Sequence, residues 1–99
     1  GFPKIDVKQV YNAKTKRLLL TFTQVQKNDE ITPAVFVLPL EVEIETAKGT
    51  RTEKIKFDKR TEQFSFRVDG KPSKLTVDKN SKVPVKLVRI APLQNSVKK

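Results

Sequence analysis

The sequence predicts an all-β protein, an antiparallel β-sandwich of about seven strands with immunoglobulin-like size. Apolar residues recur at every second position in short runs, which is the period of a strand with one buried face. Turn-forming stretches such as YNAKTK, AKGT and DGKPSK separate these runs. The 99 residues are the length of one domain. Because no apolar residues recur convincingly at helical spacing, we expect two packed sheets.

Seven runs rich in β-branched and aromatic residues mark the predicted strands. In chain order they are 4–11, 17–26, 35–46, 53–58, 62–68, 74–78 and 83–90. Gln24 lies on the apolar face of the second run, where we expect it to hydrogen-bond backbone at a strand end or to reach a neighbouring domain. Pro39 in the third run cannot donate a ladder hydrogen bond, so that strand should be an edge there or carry a bulge.

Residues 38–58 predict a hairpin in which charged and apolar residues alternate. We place a two-residue turn at Lys48-Gly49. The expected cross-strand pairs are then Glu43–Lys54, Glu41–Lys56, Val42–Ile55 and Leu40–Phe57. The two Glu–Lys pairs are expected to be solvated ion pairs, each contributing about 0.2–1 kcal/mol. A catalytic carboxylate pair would need a buried site instead.

The composition argues against chemistry in this chain. His and Cys are both absent, which excludes Ser–His–Asp triads, H-E-x-x-H zinc helices and disulfides. Asp69-Gly70 and Asp78-Lys79-Asn80 lack the alternating acids of a calcium loop and should be turns. We therefore expect no catalytic residue, no metal ligand and no cofactor. No apolar run reaches the ~20 residues of a membrane span, so we expect no membrane contact.

The net charge of +10 is unevenly distributed along the chain. No acid follows Asp78, so we divide the chain into a sandwich at 1–89 and a basic, flexible tail or linker at 90–99. Sixteen of the 21 bases are lysines scattered singly, whereas nucleic-acid readers tend to cluster arginines with aromatics, so we expect no nucleic-acid partner. The sequence begins GFPKIDVKQV without Met, and we interpret it as part of a longer or processed polypeptide. Localisation and oligomeric state stay open.

Four stretches occur in a distinctive order, namely GFPKIDV, LLLTFTQVQ, VFVLPLEVEIET and FSFRVDGKPSKLTVDKN. This ordered set resembles the β-sandwich domain of gluzincin zinc aminopeptidases, the family of alanyl and puromycin-sensitive aminopeptidases. Thr23-Gln24 and Leu38-Pro39-Leu40 match the family's second and third strands. The resemblance covers roughly residues 1–89. The family's zinc-binding helix and exopeptidase motif lie in preceding domains and have no matching positions here.

The resemblance implies a non-catalytic structural module between the catalytic domain and a C-terminal domain. The parent protein would hold zinc in its catalytic domain and cleave N-terminal residues from peptides, or would be an inactive scaffold relative. The expected partners are neighbouring domains of the same polypeptide. Candidate interdomain contacts are Phe2, Pro3, Gln24 and Phe36. The alternative function is a stand-alone basic module that binds an anionic partner, either nucleic acid or an acidic protein.

Overall fold

The computed structural model describes residues 4–25, 38–78 and 87–95. These residues form eight strands and no helix. In chain order the strands are β1 (Lys4–Asn12), β2 (Arg17–Gln24), β3 (Leu38–Thr46), β4 (Gly49–Phe57), β5 (Thr61–Arg67), β6 (Lys74–Val77), β7 (Leu87–Ile90) and β8 (Gln94–Asn95). The predicted all-β fold is confirmed, and each predicted run overlaps one of the first seven strands.

The strands assemble into two sheets. The larger sheet has the order β5-β2-β1-β7, with β8 also paired to β1, and the smaller has the order β4-β3-β6. Paired strands are antiparallel except that β7 and β8 both run parallel to β1. A parallel pair needs a long connection, and most of the domain lies between β1 and β7. The antiparallel sandwich therefore contains one parallel seam, formed by its first and last strands.

The core lies between the two sheets and is built from the alternating apolar residues of each strand. Its buried apolar members are Ile5, Val7, Tyr11, Leu18, Leu20, Phe22, Leu40, Val42, Ile44, Ile55, Phe57, Val68, Leu75 and Val77. The ring of Phe22 in β2 lies 5.6 Å from the ring of Phe57 in β4, measured between centroids. The same ring lies 5.6 Å from Phe64 in β5. Phe22 thus joins the two sheets across the core.

The β3–β4 hairpin turns one residue earlier than the sequence predicted. Thr46 pairs with Gly49, so the turn consists of Ala47 and Lys48. A primed two-residue turn at Lys48-Gly49 would need a positive φ at Lys48. The positive φ of the hairpin, +137°, falls on Gly49, the residue directly after the turn, where no Cβ opposes it.

The earlier turn changes every cross-strand partner by two residues. The observed pairs include Leu38–Phe57, Leu40–Ile55, Glu41–Lys54, Val42–Glu53 and Glu43–Thr52. The predicted pairs Glu43–Lys54, Glu41–Lys56, Val42–Ile55 and Leu40–Phe57 are therefore wrong. Because a shift of two residues preserves the alternation of a strand, the apolar side chains still point into the core.

Gly49→Ala is expected to lower the free energy of unfolding by about 1 kcal/mol, because an L side chain is strained at φ +137°. Gly70→Ala is the matched control, since a Cβ at Gly70 meets no atom within 4 Å and its φ lies outside the left-handed region. We expect this control to stay within about 0.5 kcal/mol of the parent chain. Urea unfolding of both variants measures the difference, and equal losses would contradict the role of Gly49.

Pro39 has the predicted edge position within the described part of the sheet. β6 pairs with β3 only from Val42 to Glu45, so Pro39 has a strand partner on one side in the described part of the sheet. A proline is tolerated there because the other side of the strand needs no ladder donor.

Strand pairing continues into the segment that the sequence assigned to a tail. The Ala91 amide donates to the Val7 carbonyl at 2.9 Å, and the buried Gln9 Nε2 donates to the Ala91 carbonyl at 2.9 Å. β8 then pairs Asn95 with Tyr11. Leu93 packs against the core from the same segment. The described sandwich therefore reaches Asn95, and the proposed division at residue 89 stays a prediction.

Candidate functional site

Of the four predicted interdomain contacts, Gln24 alone lies among the described residues, at one end of the sandwich. Phe2, Pro3 and Phe36 lie outside the described residues, and Gln24 is the last residue of β2. Phe2 and Pro3 immediately precede β1, and Phe36 precedes β3 by two positions. We call this region the Gln24 end and define it by Gln24, Val25, Lys59 and Arg60.

A compact set of hydrogen bonds closes the Gln24 end. The Gln24 amide donates to the Arg60 carbonyl at 2.8 Å, and Arg60 Nη1 donates back to the Gln24 carbonyl at 2.6 Å. The Val25 amide donates to the Lys4 carbonyl at 2.8 Å, which ties the end of β2 to the start of β1. Because Lys59 and Arg60 connect β4 to β5, these bonds link the two sheets.

The Gln24 side chain is buried, with 1% of its surface exposed. Its Nε2 donates to the Lys59 carbonyl at 3.2 Å. The structure thus shows the backbone hydrogen bond at a strand end that the sequence predicted for this side chain. A contact of Gln24 with a neighbouring domain stays a prediction. Its neighbour Val25 is 42% exposed and presents apolar surface beside it.

Glu62 lies next to this end and carries an unusual carboxylate. Its Oε1 is buried without a hydrogen-bond partner, while Oε2 lies 3.7 Å from Lys59 Nζ. Lys59 Nζ also lies 3.6 Å from Asp58 Oδ1. A buried carboxylate oxygen normally accepts a hydrogen bond. The sequence could not identify this group, because alternation alone places Glu62 on the same face as Phe64 and Phe66.

Two features of the described residues bear on metal and ligand binding. No three Asp or Glu side chains among residues 4–25, 38–78 and 87–95 group closely enough to hold a metal ion. Two cavities, of about 70 and about 170 Å³, open at the surface of this part of the chain. Both are smaller than the roughly 300–1,000 Å³ of typical ligand pockets. Within the described ranges, no helix is long and apolar enough to cross a membrane.

Comparison with known families agrees with this architecture. Residues 1–89 match the family described as "Domain of unknown function (DUF3458) Ig-like fold". The chain belongs to this family. A search of curated proteins found no match. The match covers the same residues as the predicted sandwich, and its Ig-like fold agrees with the two sheets described above. The link between this DUF3458 domain and zinc aminopeptidases stays a prediction.

Arg51 closes the opposite end of the DUF3458 sandwich, which the sequence did not reveal. Its Nη1 donates to the Arg67 carbonyl at 2.6 Å, and its Nε lies 3.1 Å from Glu53 Oε2. Arg51 belongs to β4 of the smaller sheet and Arg67 to β5 of the larger sheet. One guanidinium therefore joins two strands that share no ladder. Arg51 is four residues from the buried Ile55, so the alternation of β4 places both on the inward face. This alternation is the signal in the sequence that could have identified Arg51.

Arg51→Met should lower the free energy of unfolding by about 1 kcal/mol, because it removes a charge-assisted hydrogen bond at a side chain that is 48% exposed. The methionine keeps the apolar stem, so the change isolates the guanidinium. Arg89→Met on β7 is the matched control and should change stability by less than about 0.5 kcal/mol. Thermal unfolding compares the two. A larger loss for Arg89→Met would show that Arg51 does not join the sheets.

Proposed function

We propose that this chain is a non-catalytic interdomain β-sandwich module of a zinc metallo-aminopeptidase-like protein. The observation that carries the proposal is the path of the chain through the fold. β1 begins at the Gln24 end, while β8 at the other terminus pairs with Val10 and Tyr11 near the far end of β1. A polypeptide that continued on both sides would enter and leave at opposite ends. The module would then separate its neighbours by about 24 Å, the rise of seven strand residues.

The internal bonding suits a rigid spacer. The Gln24 end and the Arg51 contact each join the two sheets, and the Phe22 ring joins them between these ends. A sandwich fixed at three levels resists shear between its sheets, so it can hold two neighbours at a constant separation. The parallel seam of β1 with β7 and β8 makes the entering and leaving strands adjacent.

Zinc would belong to the preceding catalytic domain. The residues of this chain do not fit a zinc site, because it has no His or Cys and its described carboxylates do not cluster. The ordered stretches that resemble the aminopeptidases span the same residues as the family match, which supports the proposal. The parent would remove N-terminal residues from peptides, or would be an inactive relative that serves as a scaffold.

The reading frame around these residues tests the proposal. We expect an upstream domain with H-E-x-x-H and a downstream Glu ligand. An upstream domain of the same kind without those ligands would assign the module to a scaffold protein. A start codon immediately before Gly1 would overturn the interdomain role and favour the stand-alone binding module.

The full-length protein provides the second test. In one variant, a flexible linker with the same number of residues replaces the module. This variant should lose aminopeptidase activity, while its catalytic domain should still bind zinc. Flexible linkers do not fix a separation, whereas the sandwich does. Unchanged activity in that variant would contradict the spacer role.

A further inference from the structure

The two sheets of the sandwich have outer faces of different charge. On the smaller sheet the charged strand residues alternate in sign across β3, β4 and β6. They are Glu41, Glu43, Glu45, Lys54, Lys56 and Lys74. Three carboxylates and three ammonium groups give this face a net charge of zero. Such a balanced, solvated face does not favour a partner of either sign.

The outer face of the larger sheet has a strong positive bias. Its charged strand residues are Lys4, Asp6, Lys8, Arg17, Arg67 and Arg89. Five cations and one carboxylate give the described part of this face a net charge of +4. Lys8, Arg17, Arg67 and Arg89 are all exposed. We call this surface the basic face.

An uncharged patch of the basic face lies between the Arg17–Arg67 pair and Lys8, which is opposite Thr21. Thr21 and Leu19 of β2 lie there, paired with Gln63 and Ser65 of β5. Val10 of β1 is opposite Leu19. Gln63 Nε2 lies 3.5 Å from Thr21 Oγ1, and Arg17 Nε donates to Ser65 Oγ at 3.1 Å. The positions of this patch combine apolar carbon with hydroxyl and amide groups that can donate and accept hydrogen bonds.

We propose that the basic face docks onto an acidic surface of a folded protein or domain. Protein interfaces combine a core depleted in charge with a polar rim, and the uncharged patch, bordered by Lys8, Arg17 and Arg67, has this arrangement. Its +4 charge would steer an acidic partner and fix its orientation. The proposal rests on the proposed function only for the identity of the occupant, which would then be a neighbouring domain of the same polypeptide.

The same face is poorly suited to nucleic acid. Single-stranded nucleic acid is usually held by aromatic side chains on which bases stack. The described aromatic residues are all inward-facing, because Tyr11, Phe22 and Phe57 are buried and Phe64 and Phe66 pack against the core. Residues 4–25, 38–78 and 87–95 also include no helix that could enter a duplex groove. An acidic protein therefore fits the observed chemistry better.

Titration with poly-L-glutamate tests this inference on the chain itself. At about 50 mM salt, where screening is weak, we expect amide chemical shifts to change mainly on β1, β2 and β5. Arg17→Glu/Arg67→Glu should weaken binding roughly tenfold or more. Lys54→Glu/Lys56→Glu is the control, since each double variant lowers the net charge from +10 to +6 but on a different sheet. We expect this control to lose less than about threefold.

Three results would overturn the proposal. They are equal losses in the two double variants, shift changes centred on the smaller sheet, and tighter binding of duplex DNA than of poly-L-glutamate at equal probe charge. Far-ultraviolet circular dichroism of each variant verifies that the sandwich is intact. A reading frame without an aminopeptidase domain would refute the proposed function but leave this binding result unchanged.

Discussion

Phe22→Ala is expected to lower the free energy of unfolding by about 3–5 kcal/mol, the largest effect of any substitution proposed for this domain. The side chain is fully buried and contacts aromatic rings from both sheets. Truncation removes its transfer free energy and leaves a cavity between the sheets. It also removes two aromatic contacts, each contributing about 0.5–1.5 kcal/mol beyond area burial.

The size of this loss decides how the experiment is designed. Small domains have a total stability of about 5–15 kcal/mol, so Phe22→Ala can approach complete unfolding. Phe22→Leu, which retains most of the apolar volume, should cost clearly less than Phe22→Ala and keep the chain folded. Val25→Ala is the control, because Val25 is 42% exposed and its truncation should cost less than about 0.5 kcal/mol. Chemical unfolding measures all three, and a Phe22→Ala loss no larger than that of Val25→Ala would disprove the role of Phe22 in joining the two sheets.

The alternation of apolar and polar residues predicted which side chains face the core, because hydrophobic side chains are the ones that become buried. Ile5, Leu20 and Val42 are buried as their strand periods require. The same signal cannot set the register of a hairpin, since a two-residue shift preserves both faces. The conformation of the turn decides it, and that depends on which residue accepts a positive φ. Gly49 does so in the structure.

The periodic pattern of apolar residues could not predict which strands pair when they are far apart in the sequence. β8 has only two residues and no apolar alternation, so nothing local indicates that Gln94 lies beside Val10. The contact between Arg51 and the Arg67 carbonyl likewise depends on how two sheets approach each other. Gln24 was more accessible to prediction, because a long polar side chain on an apolar face must find a hydrogen-bond partner.

Gln24→Leu is expected to lower the free energy of unfolding by about 1–3 kcal/mol, although leucine is similar in size and more apolar. The substitution removes the Nε2 donor to the Lys59 carbonyl, in a position where the side chain is 1% exposed. Leaving a carbonyl without this donor costs more than the added hydrophobicity returns. Gln63→Leu on β5 is the matched control, because its amide is exposed and its contact with Thr21 is long, at 3.5 Å. We expect that variant to stay within about 0.5 kcal/mol of the parent chain.

Hydrogen exchange can locate the damage that Gln24→Leu causes. The Gln24 amide, which donates to the Arg60 carbonyl, should exchange faster in the variant, because the β4–β5 connection loses one of its attachments to β2. The Val68 amide, which donates to the Lys16 carbonyl at the other end of the sandwich, should keep its protection relative to global unfolding. Equal acceleration at both amides would mean that the two sheets open as one unit. Gln24 would then stabilise the whole domain without holding the Gln24 end, and that end would no longer count as one of the three places where the spacer's sheets are joined.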